Sequence, residues 1–214
     1  MKIVTHSTRL VLALCAVALG AAVLRADDNT FVSTWKAPGA APLDFVGKKV
    51  AGVLIADDNN LRVSAEEALA REITARGPIG VAAYRIIPKE ELAKKDAAKG
   101  WFERAGISGL VVLRLVKTDT DTVYSSAVWS SGYYNYAWDY WNYGWANVYP
   151  LGKGREQKTF TVETLLYDLK KGTPIWAGVV RTTDPKDVQT YIKGLAKDVV
   201  KQLEKEGLAR KGSR

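Results

Sequence analysis

Residues 48–56 read KKVAGVLIA, residues 64–76 read SAEEALAREITAR, and residues 109–116 read GLVVLRLV. The first and last are apolar runs of strand length, rich in Val and Leu, and predict buried strands. Between them, Ser64 to Glu67 forms a capping-box pattern with Val63 placed for the hydrophobic staple. Ala65, Ala68, Leu69 and Ile73 then share one helical face, and Gly77-Pro78 stops the helix after Arg76. Val81 to Ile87 predicts a second strand, closed by Pro88. Glu90 to Ala105 predicts a second helix, with Leu92, Trp101, Phe102 and Ala105 inward. Strand, helix, strand, helix, strand is the order of a layered sheet with helical crossovers.

The rhythm changes on either side of this block. Thr30 to Trp35 predicts a short strand, followed by a Pro- and Gly-bearing loop from Ala37 to Leu43. Beyond it, Thr159 to Leu169 alternates, placing Phe160, Val162, Thr164 and Leu166 on one face. Lys170-Lys171-Gly172-Thr173 predicts a hairpin connection, and Ile175 to Arg181 returns as a strand. A last helix is expected to start at Asp184-Pro185 and end at Gly207. Val188, Ile192, Leu195, Val199 and Leu203 form its apolar stripe. An antiparallel pair followed by a helix favours an α+β fold over a doubly wound sheet: a mixed sheet flanked by helices.

The first residues predict export. Lys2 and Arg9 precede an apolar run from Leu10 to Leu24, and Ala26 offers a small residue for cleavage. The run falls short of the ~20 residues of a spanning helix. The expected organisation is a signal peptide over 1–26, one domain over 27–209 and a basic tail over 210–214. An uncleaved anchor, or lipidation at Cys15, is the alternative. Leu14 stands where a lipoprotein signal carries a small residue, and the apolar run continues past Cys15.

Cleavage at Ala26 removes His6 and Cys15, the single His and the single Cys. A chain without either supports no Ser-His-Asp triad, Cys-His dyad or thiolate–imidazole zinc site. No metal, cofactor or enzymatic activity is therefore expected. The formal charge of +8 falls to +5 without Lys2, Arg9 and Arg25, and to +2 without Arg210, Lys211 and Arg214. That balance gives no basis for nucleic-acid binding.

Between Tyr124 and Tyr149 lie eleven aromatics, with Asp139 as the one charge. Tyr134, Tyr136, Trp138 and Tyr140 alternate, then the phase slips to Trp141, Tyr143 and Trp145. Tyr134, Trp138, Trp141 and Trp145 also fit helical spacing. Gly132, Gly144 and the aromatic richness favour an extended insertion over residues 124–155. Three roles stay open for it. The rings pack on the sheet, or they contact a partner, or Asp139 works in a carbohydrate cleft. Trp129, Tyr134, Tyr136, Trp138, Tyr140, Trp141, Tyr143 and Trp145 are the candidate contact surface, suited to a protein, a glycan or a membrane surface.

The acidic residues give weaker signals. A glycosidase needs two carboxylates, and the insertion supplies one. Asp119 and Asp121 sit in a polar Thr-Asp-Thr-Asp-Thr run that reads as a strand end. Asp57 and Asp58 follow a strand without calcium-loop spacing. Glu163 alternates outward on its strand and is expected in solvent.

The residues 162–169 (VETLLYDL), Ile175-Trp176-Ala177-Gly178 and Asp184-Pro185 resemble a family of exported bacterial proteins, often lipoproteins, that carry a Gly/Tyr/Trp-rich insertion. Val53-Leu54-Ile55, the helix from Glu66 to Arg76, and Tyr84 to Leu92 are similar in layout to envelope domains of the curli-secretion and TolB N-terminal type. The resemblance implies an envelope location and carries over no catalytic residue. The expected protein is exported and non-enzymatic, using its insertion for contact. A carboxylate hydrolase of envelope polysaccharide is the alternative.

Overall fold

The computed structural model describes residues 31–40, 45–117, 126–149, 159–183 and 187–209. Six strands form one sheet: β1 (Phe31–Lys36), β2 (Lys49–Ile55), β3 (Ile79–Ala82), β4 (Ile107–Lys117), β5 (Thr159–Asp168) and β6 (Thr173–Thr183). Their spatial order is β1-β6-β5-β4-β2-β3. β3, β2 and β4 run parallel, and β4, β5, β6 and β1 pair antiparallel. β4 is thus the seam between a crossover half and a hairpin half. The mixed sheet with helices on both faces is the expected α+β class.

Helices α1 (Asn59–Thr74) and α5 (Val188–Lys205) cover one face. Leu61, Ala65, Leu69, Ile192, Leu195 and Val199 pack there on Leu54, Val111, Val162 and Val180. The contact is close. A Cβ on Gly80 would come within 1.9 Å of the Ala70 carbonyl oxygen, so only glycine lets α1 lie this near β3. Helices α2 (Lys95–Ala105), α3 (Ser126–Trp129) and α4 (Ala137–Ala146) cover the other face.

Several boundaries differ from expectation for local reasons. The cap of helix α1 lies at Asp58, nearly two turns before Ser64. Its Oδ1 accepts from Asn60 N at 2.8 Å and Leu61 N at 3.0 Å. This places Leu61 on the buried stripe one turn before Ala65. Strand β3 ends at Ala82, because the chain turns into a 3-10 helix over Ala83–Arg85. The second helix is split into a 3-10 turn at Lys89–Glu91 and α2. Asp187, not Asp184, caps α5, accepting from Gln189 N and Thr190 N at 3.1 Å each. Asp184, Pro185, Asp119, Asp121 and the proposed signal lie outside the described residues.

Candidate contact site: the aromatic insertion

Over its described residues, 126–149, the insertion is largely helical where extended or irregular structure was expected. A short helix ends at Trp129, a 3-10 turn spans Gly132–Asn135, and α4 follows. Aromatic preference for strands reflects packing against neighbours more than backbone preference, and here the packing asks for a helix. Ala137, Tyr140, Trp141 and Gly144 are its buried positions, spaced as one face of an α-helix. Gly144 sets the depth. A Cβ there would lie 2.5 Å from Ile55 Cδ1 and 3.3 Å from Arg114 Cδ.

Beneath this helix lies a buried ion pair. Arg114 on β4 and Glu163 on β5 are register partners across adjacent strands. Arg114 Nη2 donates to Glu163 Oε2 at 2.9 Å, and Nε donates to the same oxygen at 3.2 Å. Tyr140 Oη donates to Oε2 at 3.0 Å, and Tyr134 Oη donates to Oε1 at 2.7 Å. Glu163 is 2% exposed, so the expectation of a solvated carboxylate was wrong. Period-two alternation sent Glu163 to the face opposite Val162, and that face is covered too.

The electrostatics suit a fixed anchor. Burial works against the Arg114 charge, but the Tyr140 and Glu163 oxygens outweigh it and hold its pKa above the usual arginine value. Burial, then the Glu163 charge, keeps the Tyr134 and Tyr140 hydroxyls far above the usual phenol range. Both phenols therefore stay protonated donors to the carboxylate. The Arg114 guanidinium also lies 4.9 Å from the Tyr143 ring centre. Three more bonds hold the insertion down. Trp141 Nε1 donates to Leu92 O at 2.9 Å, Tyr167 Oη to Tyr134 O at 2.8 Å, and Ala137 N to Gly172 O at 2.9 Å.

The eight candidate rings therefore divide. Trp129, Tyr134, Tyr140 and Trp141 are buried, which removes them from any surface in this fold. Their burial is core packing: Trp129 meets Tyr134 edge-on at 4.9 Å, and Trp141 meets Phe102 edge-on at 5.5 Å. Tyr136 is 52% exposed, and Trp138, Tyr143 and Trp145 are half-buried around it or farther along α4. Tyr143 stacks on Tyr133 at 3.6 Å, and Trp138 leans on Phe102 at 6.0 Å. Trp138 and Trp145 are thus held by the buried Trp141, and Tyr143 by the half-buried Tyr133. Asp139 is exposed on the same helix, whereas Glu163 is sequestered beneath it.

Arg114 and Glu163 escaped the candidate list. The available signal was a pair of opposite charges, each in the middle of an otherwise apolar strand.

A second buried carboxylate lies on α1. Glu66 accepts from Tyr84 N at 2.6 Å and Leu54 N at 3.3 Å, with Arg62 Nη1 at 3.5 Å. It fills the gap where the chain leaves β3 after Ala82. Burial pushes its pKa up to about 7, against the opposing pull of Arg62 and the two backbone donors. Among the described residues, no group of three or more His, Cys, Asp or Glu is arranged to hold a metal. Among the same residues, no helix is long and apolar enough to cross a membrane.

No family model and no curated protein matches the chain. Among solved structures, a point variant of the PelC dodecamer from Paraburkholderia phytofirmans is similar at 14% identity and a TM-score of 0.42, covering 78% of this chain and 94% of PelC. The PelC dodecamer from the same organism in a second crystal form gives 14% identity and a TM-score of 0.41, covering 84% of this chain and 97% of PelC. No role is carried over from a likeness this distant.

Proposed function

We propose that this is an exported, non-enzymatic protein of the cell envelope that uses the outward side of its aromatic insertion for contact with a protein, glycan or membrane surface. One observation carries the reading. Tyr136, Trp138, Tyr143 and Trp145 stand at or near the surface on a helix anchored from below by Arg114 and Glu163. Rings held in place lose little rotamer freedom when a partner covers them, which favours contact. Export rests on the charged and apolar pattern of the first 26 residues.

The test uses Tyr136, Trp138 and Trp145 together, each changed to Ala. Full-length protein is incubated with washed envelope fractions and sedimented. The wild type is expected to co-sediment and the triple variant to stay in the supernatant while still unfolding cooperatively in urea. Equal sedimentation of the two proteins would reject the insertion as the contact surface. N-terminal sequencing of the exported product is expected to begin at Asp27.

A further inference from the structure

β3 closes one end of the sheet, and among the described residues no strand pairs with its outer side. Between that edge and the flank of α1 runs a groove of about 630 Å³. The volume falls in the ~300–1,000 Å³ range of ligand sites. All its walls come from residues 67–85, a stretch described without a break. Ala70, Ala75, Gly80, Val81 and Ala82 line most of it, so the walls present chiefly methyl groups and backbone. β3 has four residues and runs for about 13 Å at ~3.3 Å each, the reach of a short extended peptide. The edge itself is partly closed to an added strand. Ile79 N bonds inward to Lys48 O, and the next amide, Gly80 N, points outward. Thr74 Oγ1 already accepts from Gly80 N at 3.0 Å and donates to Ala70 O at 2.8 Å. Recognition in this groove therefore falls to side chains.

The charged side chains of the groove are Glu67, Arg71 and Arg85, and they do not cancel. Glu67 Oε1 accepts from Tyr84 Oη at 2.6 Å and from Arg85 Nε at 2.8 Å. The Tyr84 hydroxyl holds the Glu67 carboxyl below the ordinary glutamate value, so it stays ionised and engaged. Arg85 commits Nε to this contact. Its side chain is 62% exposed, and among the described residues its Nη groups make no hydrogen bond. Arg71 is exposed one turn along α1 from Glu67. Among the described residues its guanidinium makes no hydrogen bond and no salt bridge. Two guanidiniums thus stand over one carboxylate that is already bonded, and the groove keeps an excess of positive charge. A guanidinium fork matches a carboxylate bidentately, and paired arginines are a recurring means of reading acidic segments.

We infer that this groove holds an extended, acidic peptide segment of a partner protein, with Arg71 and Arg85 on its carboxylates and its main chain along the small residues between α1 and β3. The groove is lined by no residue of the aromatic insertion and stands or falls independently of contact there.

Fluorescence anisotropy tests this with the full chain at low salt and a labelled short peptide alternating glutamate and valine. One saturable site is expected, weakened roughly tenfold or more by Arg71→Gln and Arg85→Gln combined. Ala75→Tyr fills the groove from an exposed position and keeps both charges, and it is expected to weaken binding as well. It also serves as the test if the double arginine variant fails to fold. Removing two exposed charges on α5, by Lys193→Gln with Lys197→Gln, is expected to leave affinity within about twofold. A peptide with glutamine in place of glutamate is expected not to saturate. Absence of binding, equal binding of the two peptides, or equal loss in the Lys193 and Lys197 control overturns the inference. So does displacement of the peptide by free glutamate at matched carboxylate concentration, which would assign the groove to a small dicarboxylate.

Discussion

The layer under α1 and α5 is mostly Leu, Val, Ile and Ala, with Phe160, Trp176 and Tyr191 among them, while the layer under α4 packs Trp129, Tyr134, Tyr140 and Trp141 around an ion pair. Each layer borders one buried glutamate, and the two are treated differently. Glu163 meets a guanidinium and two phenols, so every donor aimed at it belongs to a side chain. Glu66 meets two backbone N–H groups, Leu54 N in β2 and Tyr84 N in the turn that follows β3, with Arg62 at 3.5 Å. Aromatic side chains bring polar tips with them, and a layer built of Tyr and Trp needs acceptors inside. A mostly aliphatic layer needs fewer, and there Trp176 Nε1 donates to Glu206 Oε2 at 2.9 Å. The buried acid on the aromatic side is therefore a fastener for side chains, and the one on α1 patches the backbone.

Breaking the fastener should have the largest effect. Glu163→Leu leaves Arg114 charged and buried without its partner, and strips the acceptor from Tyr134 and Tyr140. Urea unfolding should show a loss of about 3–5 kcal/mol. Adding Arg114→Met should recover more than half, since a buried pair replaced by apolar groups is often near neutral. A loss below about 1 kcal/mol from Glu163→Leu would make the two layers equivalent and break the comparison.

The patch should show itself through pH. Glu66 rises from an ordinary 4.5 to about 7 on folding, so the folded chain holds a proton that the unfolded chain has released in that window. Its contribution to stability is complete below about 4.5 and lost as pH rises through about 7, on the order of 3 kcal/mol. Glu67 and Asp187 are shifted downward, Glu67 chiefly by the Tyr84 hydroxyl and Asp187 by Thr190, so they titrate below this window. Unfolding measured from pH 5 to 8 should fall for wild type and stay nearly flat for Glu66→Gln. Identical slopes would remove Glu66 from the account.

The smallest effect belongs to the cap of α1. Asp58→Ala should cost about 1 kcal/mol, and Ser64→Ala no more than about 0.5. The reverse order in thermal melts would restore the helix start to Ser64.

Much of the aliphatic half was legible because its residues report their own burial. KKVAGVLIA, GLVVLRLV and the stripe of Ile192, Leu195, Val199 and Leu203 became β2, β4 and α5. Asp58 was hidden because Ser64-Ala65-Glu66-Glu67 mimics a capping box, although Glu66 is turned inward to the backbone of Leu54 and Tyr84. The aromatic half was harder. Tyr and Trp serve equally well as core or as surface, so composition alone does not divide Trp141 from Tyr136. Their division depends on Gly144 and on Arg114–Glu163, which bring α4 down onto β4 and β5. These are long-range facts: residues 114 and 163 face each other only after the hairpin half has joined the crossover half.

The sheet order has a consequence for how the chain is assembled. β1 is the first strand among the described residues, and its ladder partner is β6, with Phe31 opposite Val180. A polypeptide made from its N-terminus therefore carries β1 without that partner until nearly the whole chain has emerged. Closing so long a loop is slow and entropically unfavourable. The edge of the sheet that β1 finally covers, the outer side of β6, stays open through most of synthesis, and the oldest residues of the strand ladder are among the last to find their place.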